Sequence, residues 1–297
     1  MSDHLSVQPF FHAATGTWSY VVDNSRDAVV IDPVLDYEAA SGRVKTDSVG
    51  ALLEHVRSHG LKVHYILETH AHADHLSAGA FVRTQTSAQL AIGRGIRSVQ
   101  AHFADVFLLS GDDPSLVEAF DRLLDDGDVI QAGALRISVM ATPGHTADGI
   151  SYRIDNHVFI GDTLFAPDVG TARCDFPGGN VEQLYASIRS LHALPDDTML
   201  WLCHDYPPAG RAPLAGISVA ESRQDNRMLR GVTTLAEFSA ARTARDATLK
   251  TPVLLYPSLQ VNIRGGTLPP AVNGHIYVQT PAHLVAPADG VEHKPAL

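Results

Sequence analysis

A dense run of histidines with one aspartate is the feature of this sequence best suited to chemistry. The segment ETHAHADHLS places His70, His72, Asp74 and His75 in an HxHxDH pattern. In an extended loop alternate side chains face the same side, so His70 and His72 can point together while Asp74 and His75 turn to a neighbouring position. Neutral imidazoles and carboxylates suit zinc, iron or manganese. The segment therefore predicts a metal site.

Three more candidate ligands lie far along the chain: His145 in TPGHT, Asp162 in IGDTLF and His204 in LCHDY. Each follows a short apolar run that is typical of a buried strand, as His70 does; the four runs are 63–68, 135–141, 157–161 and 199–203. Residues just beyond the ends of neighbouring strands can point into one crevice held by a rigid sheet. We therefore expect all seven side chains to meet in one place.

The elements that must position these residues alternate between strands and helices. The sequence predicts a hairpin from 18–22 and 28–31, a strand at 89–92, and helices at 47–59, 78–85 and 181–191. The charged segment 222–230 predicts an exposed helix face. This mixture indicates an α/β sandwich, with two sheets face to face and helices outside. We expect a catalytic core over 1–206, a C-terminal extension over 207–280 that completes the fold and the substrate pocket, and a mobile tail over 281–297.

The composition of the sequence limits the kinds of molecule that the protein is expected to bind. The formal net charge of −11 comes from scattered acidic residues, with no run of Lys or Arg that would match nucleic acid or an anionic membrane. No stretch reaches the roughly 18 apolar residues that a spanning helix needs, and the start has no secretory pattern. The two cysteines, Cys174 and Cys203, form no disulfide framework and fit a reducing compartment. We expect a cytoplasmic protein without nucleic-acid or membrane partners.

The order of these motifs resembles the metallo-β-lactamase superfamily, and the resemblance covers about residues 10–206. It implies an αββα sandwich. Within that superfamily the segment ETHAHADH, GTARCDF at 170–176, HDY at 204–206 and the later PSLQVNIRGG look like the persulfide dioxygenases. Cys174 departs from this pattern, because related enzymes often carry Thr there.

The resemblance implies one Fe(II) per chain, bound by His70, His145 and Asp162. Such a set leaves coordination positions for substrate and O₂. It further implies catalytic pocket roles for His72, Asp74, His75 and His204, and substrate contacts for Arg173, Asp175, Tyr206 and Arg264. The implied reaction oxidises the sulfane sulfur of glutathione persulfide, or a similar small persulfide, with O₂ to sulfite and releases the thiol. Related enzymes are often homodimers, so the resemblance also implies a homodimer.

Two other functions stay open at this stage. A dinuclear zinc hydrolase of the glyoxalase II type would use all seven residues as ligands, and sequence order alone does not distinguish it from the dioxygenase. The RCDF loop and the NIR segment favour the dioxygenase. A non-catalytic scaffold that retains the fold is the weaker alternative, because no ligand type is missing from the set.

Overall fold

The computed structural model describes residues 5–282. The fifteen strands of this part are β1 Ser6–His12, β2 Thr17–Asp23, β3 Asp27–Ile31, β4 Val34–Glu38, β5 Arg43–Lys45, β6 Lys62–Leu67, β7 Leu76–Ser77, β8 Gln89–Gly93, β9 Arg122–Leu124, β10 Val129–Ala132, β11 Leu135–Ala141, β12 Ile150–Ile154, β13 His157–Phe159, β14 Met199–Trp201 and β15 Gly216–Ser218. Its eight α-helices are α1 Asp47–Ser58, α2 Gly79–Thr86, α3 Ile96–Val106, α4 Pro114–Val117, α5 Val181–His192, α6 Val219–Asp225, α7 Leu235–Asp246 and α8 Leu255–Asn262.

The strands form two six-stranded sheets and one small sheet. The first sheet has the order β1-β2-β3-β6-β8-β9, antiparallel as far as β3 and parallel from β3 to β9. The second has the order β10-β11-β12-β13-β14-β15, in which β13 and β14 are parallel and the other pairs are antiparallel. The small sheet β5-β4-β7 lies beside the ligand-rich loop. All four expected strand ends therefore lie on interior strands, which are paired with a neighbouring strand on each side.

Three apolar clusters fill the spaces between the layers of the sandwich. The middle cluster packs the two sheets against each other through residues such as Tyr20, Ile31, Ile137 and Phe159, all almost fully buried. A second cluster packs α1, α2, α3 and α8 on the outer face of the first sheet, and a third packs α5 and α7 on the outer face of the second. This arrangement confirms the predicted αββα sandwich. No helix among the described residues is long and apolar enough to span a bilayer.

Local sequence explains the helix that supports the second sheet. Asn180 accepts a hydrogen bond from the backbone of Gln183 and so caps the first turn of α5. Leu184, Ile188 and Leu191 then repeat at helical spacing and are fully buried against the sheet. An apolar stripe with a capped start is sufficient to fix both the beginning and the buried face of this helix.

The segment 222–230 differs from the helix expected there. Helix α6 ends at Asp225, and Asn226 adopts an extended backbone. The buried side chain of Asn226 donates to Gly170 O and accepts from the backbone amides of Met228 and Leu229. These hydrogen bonds replace those of a continued helix, so the prediction of an exposed helix over the whole segment is wrong.

The chain after residue 206 is part of the same sandwich. β15 pairs with β14 and completes the second sheet, α7 packs on α5, and α8 packs beside β7. The predicted tail begins at residue 281, and all of it beyond residue 282 lies outside the described residues.

Candidate metal centre

The ligand-rich loop after β6 is held by side chains from distant parts of the chain. Asn262, at the end of α8, donates its side-chain amide to His72 O at 2.7 Å and His75 O at 2.8 Å. Its carbonyl oxygen accepts from Ser77 N at 2.7 Å. Asp148 accepts from the backbone amide of Ala71 at 2.8 Å. The loop has little regular structure of its own, so these contacts determine where its histidines point.

Glycines let the other ligand loops approach closely. Gly144, in the TPGH turn, has a φ of 132°, and a Cβ there would lie 2.2 Å from Leu184 N in α5. Gly161 precedes Asp162 with a φ of 52°, and a Cβ there would lie 2.8 Å from Thr69 Oγ1. Only glycine fits these positions without strain. The two turns can therefore place His145 and Asp162 at the site because the residue before each of them is a glycine, which has no side chain.

Each histidine of the site has one ring nitrogen engaged by the protein. His70 Nδ1 lies 3.0 Å from Thr69 Oγ1, and His145 Nδ1 lies 2.7 Å from Arg173 O. In His72 the protein engages the other ring nitrogen, because Nε2 lies 3.1 Å from Asp32 Oδ1. The opposite, buried atoms have no hydrogen-bond partner: His70 Nε2, His72 Nδ1, His75 Nε2, His204 Nε2 and also Asp162 Oδ1. Five unpartnered lone pairs in one place are costly unless a cation binds them.

The candidate ligands fall into two groups. Donor atoms of His70, His145 and Asp162 all lie within 4.8 Å of one another. The second group, also within 4.8 Å, consists of His72, Asp74, His75 and His204. Asp162 links them, because Oδ2 lies 3.7 Å from His145 Nε2 while Oδ1 lies 3.6 Å from His204 Nε2. The structure thus brings together all seven side chains that the sequence singled out.

Burial and neighbouring charges place several of these groups in the protonation state that a metal needs. Burial, and then the adjacent imidazoles, lowers the pKa of His70 well below its usual value and that of His75 to about 3. Burial opposes ionisation of Asp74, but the nearby His204 and His75 outweigh it and hold the pKa of that carboxyl well below its usual range. Neutral imidazoles and an ionised carboxylate are metal-binding forms. Burial disfavours the charged form of His204, but Asp162 and Asp74 outweigh it and raise the pKa of that ring well above its usual value, so it would lose a proton when a cation binds. Imidazoles and carboxylates together are the donor chemistry of a divalent cation.

A cavity of about 370 Å³ opens beside the first group of donors. Asp74, His145, Asp162 and Tyr206 are among the residues that line it. Phe165, Val169, Phe176, Met228, Leu249 and Pro252 give it apolar walls, and four arginines line it as well: Arg173, Arg227, Arg242 and Arg245. An apolar cavity with several cationic groups suits a small organic anion.

Comparison with known proteins agrees with this geometry. The family model of the metallo-beta-lactamase superfamily matches residues 13–204. The chain belongs to this superfamily. A protein of Burkholderia pseudomallei named "Probable metallo-hydrolase" is 46% identical over 95% of this chain and 100% of its own length. "Glyoxylase B2" of Dictyostelium discoideum is 41% identical over 95% of this chain and 97% of its own length.

More distant relatives within the superfamily include persulfide dioxygenases. Human "Persulfide dioxygenase ETHE1, mitochondrial" is 28% identical over 68% of this chain and 69% of its own length. The crystal structure of ETHE1 from Myxococcus xanthus has a TM-score of 0.69 and 30% identity, and the match covers 88% of this chain and 100% of that one. The match extends past the common core into the C-terminal region.

Three of the four residues predicted to contact substrate lie at or beside the cavity of this superfamily member. Arg173 lines it and stacks on Phe176, with its guanidinium carbon 4.6 Å from the ring centre. Asp175 pairs with Arg173 through two 2.6 Å contacts but does not line the cavity itself. Tyr206 lines the cavity and donates its hydroxyl to Asp74 Oδ2 at 3.2 Å. Asp175 therefore acts on the cavity only through Arg173.

Arg264 does not line the cavity. It is 4% exposed, and its guanidinium donates to Gln260 O at 2.5 Å and to Ser115 Oγ at 3.1 Å. These contacts tie α8 to the segment around α4. Because the side chain is used inside the protein, we no longer assign it a substrate contact.

Several residues that shape the site were not anticipated from the sequence. Asp32, at the end of β3, accepts from Thr69 N at 2.8 Å and binds His72. Asn262 anchors the ligand loop, and Arg227 and Arg245 add charge to the cavity. The position of Asp32 directly after a buried strand was the same signal that revealed Asp162 and His204. No comparable sequence signal marks Arg227 or Arg245.

Proposed function

We propose that this chain is an iron-dependent persulfide dioxygenase. It oxidises the sulfane sulfur of glutathione persulfide, or of a similar small persulfide, with O₂ to sulfite and releases the thiol. The observation that carries this proposal is the group of two imidazoles and one carboxylate, His70, His145 and Asp162, whose donor atoms all lie within 4.8 Å of one another. The structural match to ETHE1 over nearly the whole chain supports it. The homodimer and the cytoplasmic location stay predictions.

Two imidazoles and one carboxylate are the donor set of non-haem iron oxygenases, and iron held by these three residues would supply the redox chemistry. The chain's own residues fix the geometry. The carbonyl of Arg173 holds His145 through Nδ1, and Thr69 holds His70 in the same way. Thr69 donates its hydroxyl proton to Asp32 Oδ2 at 2.9 Å, so its oxygen accepts a hydrogen bond from His70 Nδ1. The Nε2 atom of His70 then carries the free lone pair. Both imidazoles therefore present the required lone pair.

The cavity determines how an anionic persulfide is held. Its apolar walls exclude water from the reacting sulfur, and its arginines attract the carboxylates of a glutathione-like substrate. Arg173 is pinned by Asp175 and by donation to Lys250 O at 2.7 Å, so its guanidinium is preorganised. Tyr206 donates its only hydroxyl proton to Asp74, so it would donate a hydrogen bond to substrate only by giving up that contact.

A dinuclear hydrolase of the glyoxalase II type is the second candidate. The unpartnered Nδ1 of His72 and Nε2 of His75 and His204 favour it, because they complete a second set of donors. The relatives named metallo-hydrolase and glyoxylase agree with it. In that enzyme the two groups of ligands would hold two zinc ions that activate a hydroxide for attack on a thioester.

Metal analysis and two substrate assays distinguish these functions. We expect protein purified from medium with equal iron and zinc to hold about one iron per chain, to consume O₂ with glutathione persulfide and to form sulfite. His70→Ala should lose the iron, whereas the matched His72→Ala variant should retain it. Two zinc ions per chain together with hydrolysis of S-lactoylglutathione, and no sulfite, would overturn the proposal in favour of the hydrolase.

A further inference from the structure

The peptide group that joins Arg173 to Cys174 is held by hydrogen bonds at both its carbonyl and its amide. The carbonyl oxygen, Arg173 O, lies 2.7 Å from His145 Nδ1 and accepts a hydrogen bond from that ring. The amide, Cys174 N, donates to Asp246 Oδ2 at 3.1 Å. A single peptide group therefore connects a carboxylate at the end of α7 with a candidate metal ligand.

The planarity of this peptide group makes its two hydrogen bonds depend on each other. In a trans peptide the C=O and N–H lie in one plane and point in opposite directions. Because Asp246 holds the amide hydrogen of Cys174, it also fixes the direction in which Arg173 O points. A hydrogen bond to the amide polarises the peptide as well, and so makes its carbonyl a stronger acceptor. Asp246 thus affects both the direction and the strength of the contact with His145.

Asp246 is itself held in place by Arg242, one turn earlier on α7. The two side chains are buried, and Arg242 Nη2 lies 2.6 Å from Asp246 Oδ1. Arg242 Nη1 donates to Thr171 O at 2.9 Å, which ties the ion pair to the start of the same loop. Helix α7 packs on α5 through the fully buried Phe238. These contacts keep the second carboxylate oxygen, Asp246 Oδ2, in one position in front of Cys174 N.

We propose that Asp246 is a positioning residue for His145 that acts through the Arg173–Cys174 peptide, with Arg242 holding Asp246 in place. An imidazole that binds a metal through one nitrogen usually donates its other N–H to a carbonyl or carboxylate, and this partner fixes the orientation of the ring. Here the partner is a backbone carbonyl whose direction depends on α7, which lies beyond the family match at 13–204. The inference rests on His145 as a metal ligand, which both candidate functions require.

Two double variants that differ in one acceptor atom test this proposal. Both carry Arg242→Met, so that no unpaired charge is left buried. One adds Asp246→Leu and the other adds Asp246→Asn. Leucine and asparagine have similar shapes, but only asparagine offers an oxygen to Cys174 N. Co²⁺ titration of the metal-free full chain, followed by visible absorption, should give a dissociation constant about tenfold higher with Asp246→Leu. With Asp246→Asn it should stay near the wild-type value.

Phe238→Leu is the matched control, because it loosens the packing of α7 without removing a hydrogen bond. It should lower the free energy of unfolding and leave the Co²⁺ dissociation constant unchanged. His145→Ala should weaken Co²⁺ binding at least as much as the double variant with Asp246→Leu. Equal dissociation constants in the two double variants, or a wild-type value in His145→Ala, would overturn the proposal.

The wild-type protein provides a test that does not depend on whether the variants fold. The amide hydrogen of Cys174 should exchange slowly with D₂O, because Asp246 accepts its hydrogen bond. Exchange as fast as that of a free amide would overturn the proposal. None of these measurements uses a substrate, so a failed persulfide assay would refute the proposed function and leave this inference unaffected.

Discussion

Replacement of Asn262 by alanine should destabilise the protein and the ligand loop together. The side chain makes three hydrogen bonds to backbone groups of the loop, at 2.7, 2.8 and 2.7 Å, and is 3% exposed. Alanine would leave two carbonyl oxygens and one amide buried without partners. Each such group costs about 1–3 kcal/mol, so the three groups predict a loss of about 3–9 kcal/mol in the free energy of unfolding. That is a large part of the roughly 5–15 kcal/mol of a typical domain.

Denaturant unfolding of metal-free and metal-loaded protein measures this loss. Asn262→Asp provides a sharper variant, because it keeps the acceptor for Ser77 but turns a carboxylate oxygen toward the two carbonyls. It should destabilise at least as much as alanine. Gln131→Ala is the control, since its amide donates to Gly133 O at 2.8 Å in an exposed contact and its loss should cost under about 1 kcal/mol. A cost below 1 kcal/mol for Asn262→Ala would refute the assigned anchoring role.

Three further predictions follow from single groups. Arg173→Ala should raise KM for the persulfide while metal content stays the same, because His145 is held by the backbone carbonyl of residue 173; loss of metal with unchanged KM would contradict this. Burial raises the pKa of the Cys174 thiol to about 12, so roughly one molecule in 10⁴ is a thiolate at pH 8, and iodoacetamide should label it only after unfolding. Burial lowers the pKa of His192 to about 4 from 6.5, so the unfolded chain takes up the proton first as pH falls. The stability advantage of wild type over His192→Gln should therefore shrink by about 3 kcal/mol from pH 7 to pH 4, as checked by urea unfolding; a constant difference would contradict it.

The sequence could indicate which side chains lie together because the signals for them are local. A short apolar run followed directly by a polar residue can be recognised in the sequence. This pattern singled out His70, Asp162 and His204, which the structure places among the other candidate ligands. The strand expected at 157–161 ends at Phe159, and a short turn of 3₁₀ helix at Gly161–Thr163 presents Asp162 instead. The glycine before the aspartate decides this difference, because its positive φ is incompatible with a continued strand.

Tertiary contacts explain what the sequence did not reveal. Asp32 and His72 are 40 positions apart and meet because β3 and β6 are adjacent parallel strands. Arg227 reaches the cavity because Asn226 ends α6 early, which the charged pattern of that segment gave no reason to expect. A run of charged residues indicates only that the segment is exposed to solvent. The direction of a side chain in a loop depends instead on which distant groups form hydrogen bonds with the loop backbone.

The segment NIRGG shows how a motif can be informative about a site without contacting the substrate. Its arginine, Arg264, is buried away from the cavity, but Asn262 holds the loop between His72 and Ser77. Gly265 and Gly266 have φ values of 62° and 84°, and a Cβ on Gly266 would lie 2.8 Å from Ser77 O. Asn262 and Gly266 therefore contact the same short loop, and a side chain at position 266 would collide with its backbone at Ser77 O. The C-terminal extension thus determines the geometry of ligands that lie nearly 200 residues earlier.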